Sequence, residues 1–225
     1  MNRGFCVLKR KELVATEWVE KFRHIPVANI SDSMSRLVAG GAGIRPMHNS
    51  GVMCGAAVTV KTCPGDNLMV HMALNIAQAG DVIVVDAGGD LANAIMGERM
   101  LAYCIAKNFS GVVVNGAIRD FGWVRSQNFP VYAAGVTHRG PYKNGPGEIN
   151  TTISLDGMII NPGDLIVGDE DGVIAIPHAD VEMIYQKAAS KHQQEIDTFS
   201  KIGKSDNNED GYRKKLQQLG CYFEP

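Results

Sequence analysis

The chain has 225 residues, of which 45% are hydrophobic, so it can build the core of one large domain or of two small ones. A formal net charge of -2 argues against general nucleic-acid binding, which needs a strongly basic face, and no apolar stretch is long enough to span a membrane. Small molecules or proteins are therefore the expected partners.

Cysteine usage indicates the compartment. The five cysteines are an odd number at scattered spacings without a CxxC pair: Cys6, Cys54, Cys63, Cys104 and Cys221. This pattern is typical of reduced thiols rather than of a disulfide framework or a zinc knuckle. The N-terminal residues show no signal-peptide core or cleavage site, and we expect a cytoplasmic protein.

The first third of the chain predicts short helices around one strand. Apolar residues at helical spacing predict a helix over residues 11–22, which Ile25-Pro26 ends. Ser31 and Asp32 are good N-cap residues and predict a second helix after them. The patterns that follow indicate a strand at 51–62, a turn at 63–67 and a helix that continues to Gln78.

The central part predicts a parallel sheet. Residues 82–85 form a run of β-branched side chains that is typical of a buried strand, and a helical pattern then continues to Lys107. A second strand follows at 112–114, and a third at 130–133 comes after a short helical or irregular passage over 118–128. These two strand–helix–strand passages imply parallel strands that are joined by right-handed crossovers.

The last part predicts antiparallel hairpins and helices. Asp156-Gly157 is a two-residue hairpin signal between strands at 149–155 and 158–161. The acidic turn at 169–172 separates strands at 165–168 and 173–176, a long amphipathic helix runs from His178 to about Lys201, and a basic helix covers 212–219. We therefore expect an N-terminal helical segment (1–24), a central α/β domain (25–177) and C-terminal helices (178–225).

The pair Arg119-Asp120 is the strongest candidate for chemistry. It follows the glycine-bounded apolar run 111–118, and the residues after such strands line the ligand sites of open α/β sheets. The planar fork of arginine suits a substrate carboxylate, while the adjacent aspartate can hold a hard divalent ion. The alternative interpretation is a surface ion pair or a helix cap.

A second candidate is the run Gly97, Glu98, Arg99 and Met100, near the start of the predicted helix. Free amides at a helix N-terminus attract anions, and the glycine removes a side chain that would block access. Such amides could hold a carboxylate together with Arg119. The alternative is that Glu98 only complements the helix dipole.

Other chemistries have weaker support. The glycine-rich stretch 82–90 lacks GxGxxG and a P-loop, and no GxSxG elbow or HExxH motif occurs. Lys61, at a strand end, is the only tempting Schiff-base lysine, and the turn 169–172 lacks the spacing of a calcium loop. Mg²⁺ or Mn²⁺ on a carboxylate, with several waters retained, fits the sequence better than a histidine-rich zinc centre.

An ordered set of motifs resembles a known family. The set comprises GDVIVVD (80–86), Gly97-Glu98, GVVVNGAIRD (111–120), GPGEIN (145–150), and PGD (162–164) with DEDGV (169–173). Together these motifs, within residues 25–195, resemble the 4-hydroxy-4-methyl-2-oxoglutarate aldolase family. That family also includes proteins named regulators of ribonuclease activity A.

The resemblance implies a fold and an activity. The fold is a layered, swivelling β/β/α architecture with a parallel core, antiparallel hairpins and a long C-terminal helix, so that residues 25–177 form the catalytic domain. The activity is that of a class II, metal-dependent aldolase that releases pyruvate from a 2-oxo acid, often with oxaloacetate decarboxylase activity as well. Ring-shaped homotrimers, sometimes stacked as hexamers, are also implied.

The resemblance also assigns residues. The family signature is an acid, twenty intervening residues and Arg-Asp, and here residues 99–118 separate Glu98 from Arg119. By this match Asp120 binds Mg²⁺ or Mn²⁺, Arg119 holds the substrate carboxylate and steadies the enolate, and the backbone of 97–100 cradles the pyruvyl end. Glu98, which would orient a proton-carrying water, stands where the better-studied aldolases have aspartate. Glu195 matches a glutamate that reaches the metal waters of a neighbouring subunit.

A second hypothesis is a protein that docks on a ribonuclease and inhibits it without catalysis. A pure regulator does not need Arg-Asp intact, and members known as regulators can lack the aspartate. Both Arg119 and Asp120 are present here, so the sequence favours the enzyme.

Overall fold

Short strands and helices alternate along most of the chain. The computed structural model describes residues 3–37, 40, 42–200, 202 and 209–224. The strands in this part are β1 (Phe5–Val7), β2 (Arg45–Pro46), β3 (Met53–Thr62), β4 (Val82–Asp86), β5 (Ala94–Met96), β6 (Gly111–Ile118), β7 (Val131–Val136), β8 (Gly147–Ile149), β9 (Ile153–Leu155), β10 (Met158–Ile160), β11 (Leu165–Asp169) and β12 (Gly172–Ile176). The helices are α1 (Thr16–Phe22), α2 (Val27–Ser33), α3 (Leu68–Ile76), α4 (Glu98–Ala106), α5 (Phe121–Ser126), α6 (Val181–Phe199) and α7 (Glu209–Gln218).

The predicted parallel core is confirmed. Strands β3, β4, β6 and β7 lie side by side, and each neighbouring pair is parallel. Val82–Val85 in β4 is completely buried, because the sheet is covered on both faces. Burial on both faces explains why this strand is an unbroken apolar run rather than an alternating one.

The layers of the molecule follow from what covers each face of the sheet. Helices α3, α4 and α5 pack on one face, and the β9–β10 hairpin packs on the other. Helices α1, α2 and α6 form a further apolar cluster against β11 and β12. The layered α/β architecture with a parallel core, antiparallel hairpins and a long C-terminal helix is as predicted.

Both predicted hairpins are confirmed. Strands β9 and β10 are antiparallel, and the turn residues Asp156 and Gly157 have φ of 50° and 88°, as a type I′ turn requires. Strands β11 and β12 are antiparallel on either side of the acidic turn, and β11 also pairs antiparallel with β3. The hairpin β11–β12 therefore extends the main sheet.

The prediction that the second helix starts after Ser31 and Asp32 is wrong. Helix α2 begins at Val27, directly after Pro26, and these two polar residues lie in its last turn. The backbone N–H of Val27 donates to Oδ2 of Asp169 at 2.9 Å, so the cap comes from β11 and not from a neighbouring residue. A cap that is distant in sequence leaves no local signal.

Strands also occur where helix or longer strands are predicted. Strand β5 interrupts the helical pattern that precedes α4, and its fully buried residues pair with β6. Short buried apolar runs do not distinguish strand from helix by periodicity. The strand predicted at 149–155 is divided into β8 and β9, because Asn150 adopts a left-handed φ of 58°.

The chain ends differ from the sequence expectation in detail. Within the N-terminal segment predicted as helical, β1 pairs in parallel with β8, and α1 begins only at Thr16. Helix α6 ends at Phe199, and the predicted limit at Lys201 lies outside the described residues. No helix in the described part of the chain is long and apolar enough to cross a membrane.

Candidate active site

Two neighbouring strand ends bring the predicted site residues together. Strands β5 and β6 are parallel, and Met96 pairs with Ile118. The residues that follow each strand, Gly97-Glu98 and Arg119-Asp120, therefore leave the same edge of the sheet side by side. The arrangement arises from β5, which the sequence does not reveal as a strand.

Asp120 links the two strand ends through its carboxylate. Its backbone is left-handed, with φ of 60° and ψ of 38°, a conformation that aspartate and asparagine tolerate better than other side chains. The carboxylate does not cap α5, which Asp120 precedes. Instead Oδ2 accepts a hydrogen bond of 3.0 Å from the backbone N–H of Glu98, the first residue of α4.

Only glycine fits at position 97, because there is no room for a side chain. A Cβ at this position would overlap Oδ2 of Asp120 and would lie only 2.8 Å from Cγ of Arg119. Its φ of -153° is ordinary extended backbone, so the requirement comes from the close approach and not from the dihedral angle. The sequence prediction that this glycine keeps a side chain out of the site agrees with this geometry.

The guanidinium of Arg119 is partly exposed to solvent. Its backbone N–H donates to the carbonyl of Met96 at 3.0 Å, which fixes the main chain, and its Nε lies 3.6 Å from Oδ2 of Asp120. The side chain is 42% exposed, and Gly140 lies close to Nη1. Within the described residues, Asp120 is the only ion-pair partner of this guanidinium, so most of its donors remain available to a ligand.

A cavity of about 460 Å³ opens beside Arg119, within the usual size of small-molecule sites. Its walls come from α3, α4 and the loop that carries Gly140. The lining residues are Asn67, His71, Leu74, Asn75, Arg99, Met100, Tyr103, Arg119, Gly140, Pro141 and Lys143. None of these side chains is acidic, so the cavity favours an anionic ligand.

Asn67 carries a buried acceptor that has no partner within the protein. The residue is 2% exposed, and its Nδ2 donates to the carbonyl of Ile95 at 2.9 Å. Its Oδ1 accepts no hydrogen bond from any described residue. An unsatisfied buried acceptor costs about 1–3 kcal/mol.

His71 is the second residue that the sequence interpretation missed. Burial lowers the pKa of its imidazole, and the positive charges of Lys143 and Arg99 lower that pKa further. These effects favour the neutral form of the imidazole. Neither His71 nor Asn67 stands in a motif, and only the packing of α3 on the cavity reveals them.

Asp66 fixes the loop that carries Gly140 and Lys143. Its carboxylate accepts backbone N–H groups from Leu68 at 2.9 Å, from Asn144 at 2.5 Å and from Gly145 at 3.0 Å. Asp66 is itself 3% exposed. One buried carboxylate thus ties the start of α3 to the opposite wall of the cavity.

The predicted anion cradle at 97–100 is partly occupied by the protein itself. Of the amides at the start of α4, the N–H of Glu98 is already bonded to Asp120. The side chains of Arg99 and Met100 line the cavity, while the exposed carboxylate of Glu98 forms no hydrogen bond or ion pair with the described residues. Glu98 is thus free to act on a water or a ligand.

The donor set near Asp120 suits a hydrated magnesium ion. No group of three or more His, Cys, Asp or Glu side chains that could hold a metal occurs among the described residues. Mg²⁺ needs only one or two carboxylates because it keeps several waters. Asp120 offers Oδ1, which has no partner in the described part of the chain, while its Oδ2 accepts the backbone N–H of Glu98.

Glu195 does not lie at this cavity within one subunit. It is on α6, where its Oε2 accepts a hydrogen bond of 2.7 Å from Nδ2 of the buried Asn29. Its predicted role, at the site of a neighbouring subunit, stays a prediction.

Comparison with known proteins identifies relatives of the whole core. A family profile described as "RraA-like: Aldolase/RraA" matches residues 27–175. A protein of Halalkalibacterium halodurans, provisionally named 4-hydroxy-4-methyl-2-oxoglutarate aldolase, is 42% identical over 175 residues, which cover 78% of this chain and 83% of that protein.

Two solved structures share the fold; one is an RNA-processing inhibitor and the other is a member of an inhibitor family. Streptomyces coelicolor RraAS2, described as an unusual member of the RNase ES inhibitor RraA family, aligns with a TM-score of 0.74 and 25% identity over 86% of this chain and 100% of its own. The RNA-processing inhibitor RraA from Thermus thermophilis aligns with a TM-score of 0.62 and 28% identity over 68% of this chain and 92% of its own.

Proposed function

Because the chain belongs to the RraA-like family, we propose that it is a divalent-metal-dependent aldolase that cleaves a 4-hydroxy-2-oxo acid to pyruvate and a second carbonyl compound. The observation that carries this proposal is the convergence of Arg119, Asp120 and Glu98 beside a cavity without acidic lining residues. A lyase of the aldolase type is also what the name of the 42% identical relative supports.

Arg119 binds the substrate carboxylate. Its available guanidinium donors match the two oxygens of a carboxylate, and a bidentate pair fixes the orientation of the adjoining 2-oxo group. Asp120 would hold Mg²⁺ or Mn²⁺, which supplies Lewis-acid polarisation of the 2-oxo oxygen when bound.

Cleavage breaks the bond between C3 and C4 of the substrate. The 4-hydroxyl loses its proton, C4 becomes a carbonyl carbon, and the electron pair of the broken bond forms the enolate of pyruvate. The positive charge of Arg119 stabilises the negative charge that develops on this fragment. Glu98 orients the water that takes the hydroxyl proton and returns a proton to C3.

The same site can release pyruvate from oxaloacetate, since loss of CO₂ leaves the same enolate.

We further propose that the protein acts as a homotrimer or hexamer, in which Glu195 approaches the site of a neighbouring subunit. The five cysteines, all unpaired in the structure, are in keeping with a cytoplasmic location.

Pyruvate release from the purified, Mg²⁺-loaded protein tests the proposal. A panel of 4-hydroxy-2-oxo acids and oxaloacetate should include at least one substrate, chelator should abolish its turnover, and added Mg²⁺ or Mn²⁺ should restore it. Turnover that survives exhaustive chelation, with trapping of pyruvate on a lysine by borohydride, would replace the metal mechanism with a Schiff base. No pyruvate release from any member of the panel, combined with tight binding to a ribonuclease, would favour the docking regulator.

A further inference from the structure

One wall of the cavity is a loop that lies against Arg119. Residues 137–146, which we call the Gly140 loop, join β7 to β8, and Gly140, Pro141 and Lys143 from this loop line the cavity. A Cβ added at Gly140 would lie only 3.2 Å from Nη1 of Arg119. The backbone of the loop therefore limits where the guanidinium can lie.

The Gly140 loop depends on other parts of the chain for its position. Its residues, all of which the structure describes, form neither a helix nor a strand, apart from a single bridge between Tyr142 and Asp66. The N–H of Tyr142 donates to the carbonyl of Gly65 at 2.8 Å, and its carbonyl accepts the N–H of Asn67 at 3.0 Å. Segments with few internal contacts open locally at low cost, so the groups that hold this loop determine the shape of the cavity wall.

Two buried polar side chains hold the loop near its two ends. Nδ2 of Asn93 donates to the carbonyl of Gly140 at 2.5 Å, and Asn93 is only 8% exposed. Oδ2 of the buried Asp66 accepts the N–H groups of Asn144 and Gly145. Hydrogen bonds that are shielded from water, particularly those to a charged acceptor, are stronger than exposed ones. Asn93 and Asp66 are thus two anchors of one wall.

Asn93 is also connected to the strand that precedes Arg119. Its backbone N–H donates to Oδ2 of Asp90 at 3.2 Å, and the carbonyl of Asp90 accepts the N–H of Ala117 in β6 at 3.1 Å. Arg119 follows β6 directly. The same strand therefore fixes the backbone of the arginine and, through Asn93, the loop that lies against its guanidinium.

We propose that Asn93 and Asp66 are positioning residues, which hold the Gly140 loop against Arg119 and thereby set the orientation of its guanidinium. This inference rests on the proposed function, in which Arg119 binds the substrate carboxylate. A bidentate pair needs both planar groups in a fixed geometry, so a displaced loop weakens it. Both residues act through the loop and not by contact with the substrate.

Two substitutions each weaken one anchor with little change in volume. Asn93→Asp places a carboxylate oxygen against the carbonyl of Gly140, where the N–H donor now lies. Asp66→Asn replaces an accepting oxygen by an amide N–H₂ group beside backbone N–H donors. Asp164→Asn is the matched control, because Asp164 is a 2% exposed carboxylate that also accepts two backbone N–H groups, in the turn before β11.

Steady-state kinetics of pyruvate release gives the first readout. A displacement of about 1 Å can cost roughly 100-fold in rate, and we expect kcat/KM to fall about 10-fold to 100-fold in Asn93→Asp and in Asp66→Asn. The loss should lie mainly in KM, because the substrate carboxylate is bound in the reactant and in the transition state alike. Asp164→Asn should keep the wild-type KM even if its melting temperature falls as far. A wild-type KM in both loop variants of an active enzyme would overturn the proposal.

Chemical modification of Arg119 gives a second readout, which needs no turnover. Phenylglyoxal reacts with accessible guanidinium groups, and mass spectrometry of the digested protein measures the rate at each arginine. A loop that is no longer held should expose Arg119, so its modification should be severalfold faster in Asn93→Asp and Asp66→Asn but not in Asp164→Asn. Arg125, on the exposed side of α5, is the internal reference in each sample.

The second readout separates this inference from the proposed function. If the wild-type protein releases no pyruvate from any compound, the proposed function fails, while the modification rate still shows whether Asn93 and Asp66 hold the guanidinium of Arg119. An unchanged rate in both loop variants would refute the two anchors. An equal increase in Asp164→Asn would refute them as well, because the effect would then be a general loss of stability.

Discussion

At the scale of single residues, the site contains two side chains that follow β6 and make different contacts, those of Arg119 and Asp120. Arg119 leaves most of its donors free, whereas Asp120 uses one oxygen to hold the start of α4. Arg119 and Asp120 form only a long ion pair with each other, through Nε and Oδ2, so the guanidinium keeps donors for a ligand. Their separation of 3.6 Å is longer than a hydrogen bond.

Arg119→Lys should impair catalysis while keeping the charge. Lysine cannot form a bidentate pair with a carboxylate, so we expect a loss of about 2 to 4 kcal/mol of transition-state stabilisation, or roughly 30-fold to 1000-fold in kcat/KM. Steady-state kinetics of pyruvate release measures it. Arg125→Lys, on the exposed side of α5, is the matched control. An Arg119→Lys enzyme within a factor of three of wild type would remove Arg119 from the site.

Glu98→Gln separates two roles of the first residue of α4. If Glu98 orients the proton-carrying water, kcat should fall by roughly 100-fold or more with little change in melting temperature. A role limited to the helix dipole would instead cost about 0.3 to 1 kcal/mol of stability and leave kcat intact. Glu98→Asp, which shortens the side chain by one methylene, should retain measurable activity with a shifted substrate preference. Kinetics and thermal melting of both variants decide the question.

The sequence alone places Arg119, Asp120 and Glu98 at the ends of regular elements, but it does not indicate most of the other residues that line the cavity. Arg119, Asp120 and Glu98 follow or begin regular elements, so their local patterns place them at the edge of the sheet. Asn67 and His71 matter because α3 packs beside α4, and no local pattern reports which face of a helix borders a cavity.

At the scale of elements, strand β5 and helix α4 are joined by Gly97, which lies too close to Arg119 and Asp120 for a larger residue to fit. Pairing of β5 with β6 fixes the position of Gly97, and the two residues that follow β6, Arg119 and Asp120, pack directly against it. The sequence did not predict β5, because three buried apolar residues fit a helical pattern as well as a strand. The start of α2 was missed for a related reason, since Asp169 caps it from across the chain.

Gly97→Ala should damage the site more than the fold. The new methyl group would displace Asp120 and Arg119, and misplacement by about 1 Å can cost roughly 100-fold in rate. The strain of overpacking should cost about 1–3 kcal/mol. Gly122→Ala, on α5, is the matched control because its Cβ would meet no atom within 4 Å. Full activity in Gly97→Ala would show that the close approach is not needed for catalysis.

At the scale of the whole molecule, the N-terminal segment is bound to the core along its length. Strand β1 extends the main sheet, and Arg10 forms a bidentate ion pair with Asp81, at 2.6 and 2.7 Å, in the turn before β4. The side chains of this pair are only 10% and 7% exposed. The division predicted at residues 24 and 25 stays a prediction, but these contacts tie the two parts together.

Arg10→Ala should destabilise the protein strongly. Removing one partner of a buried ion pair leaves an uncompensated charge, and we expect a loss of about 3–5 kcal/mol in the free energy of unfolding. Lys11→Ala, at an exposed neighbouring position, should change it by less than about 0.5 kcal/mol. Urea unfolding of both variants measures the difference. Equal midpoints would mean that the ion pair contributes nothing to stability.

The left-handed backbone at Asp120 limits what evolution can place there. Only glycine, asparagine and aspartate adopt this conformation at low cost, and one nucleotide change converts an aspartate codon to an asparagine codon. Asparagine would keep the bond to α4 and lose the negative charge. A descendant with this substitution would lose the proposed metal ligand in a single step while it inherits the fold intact, and its surface would then be free to diverge toward other partners.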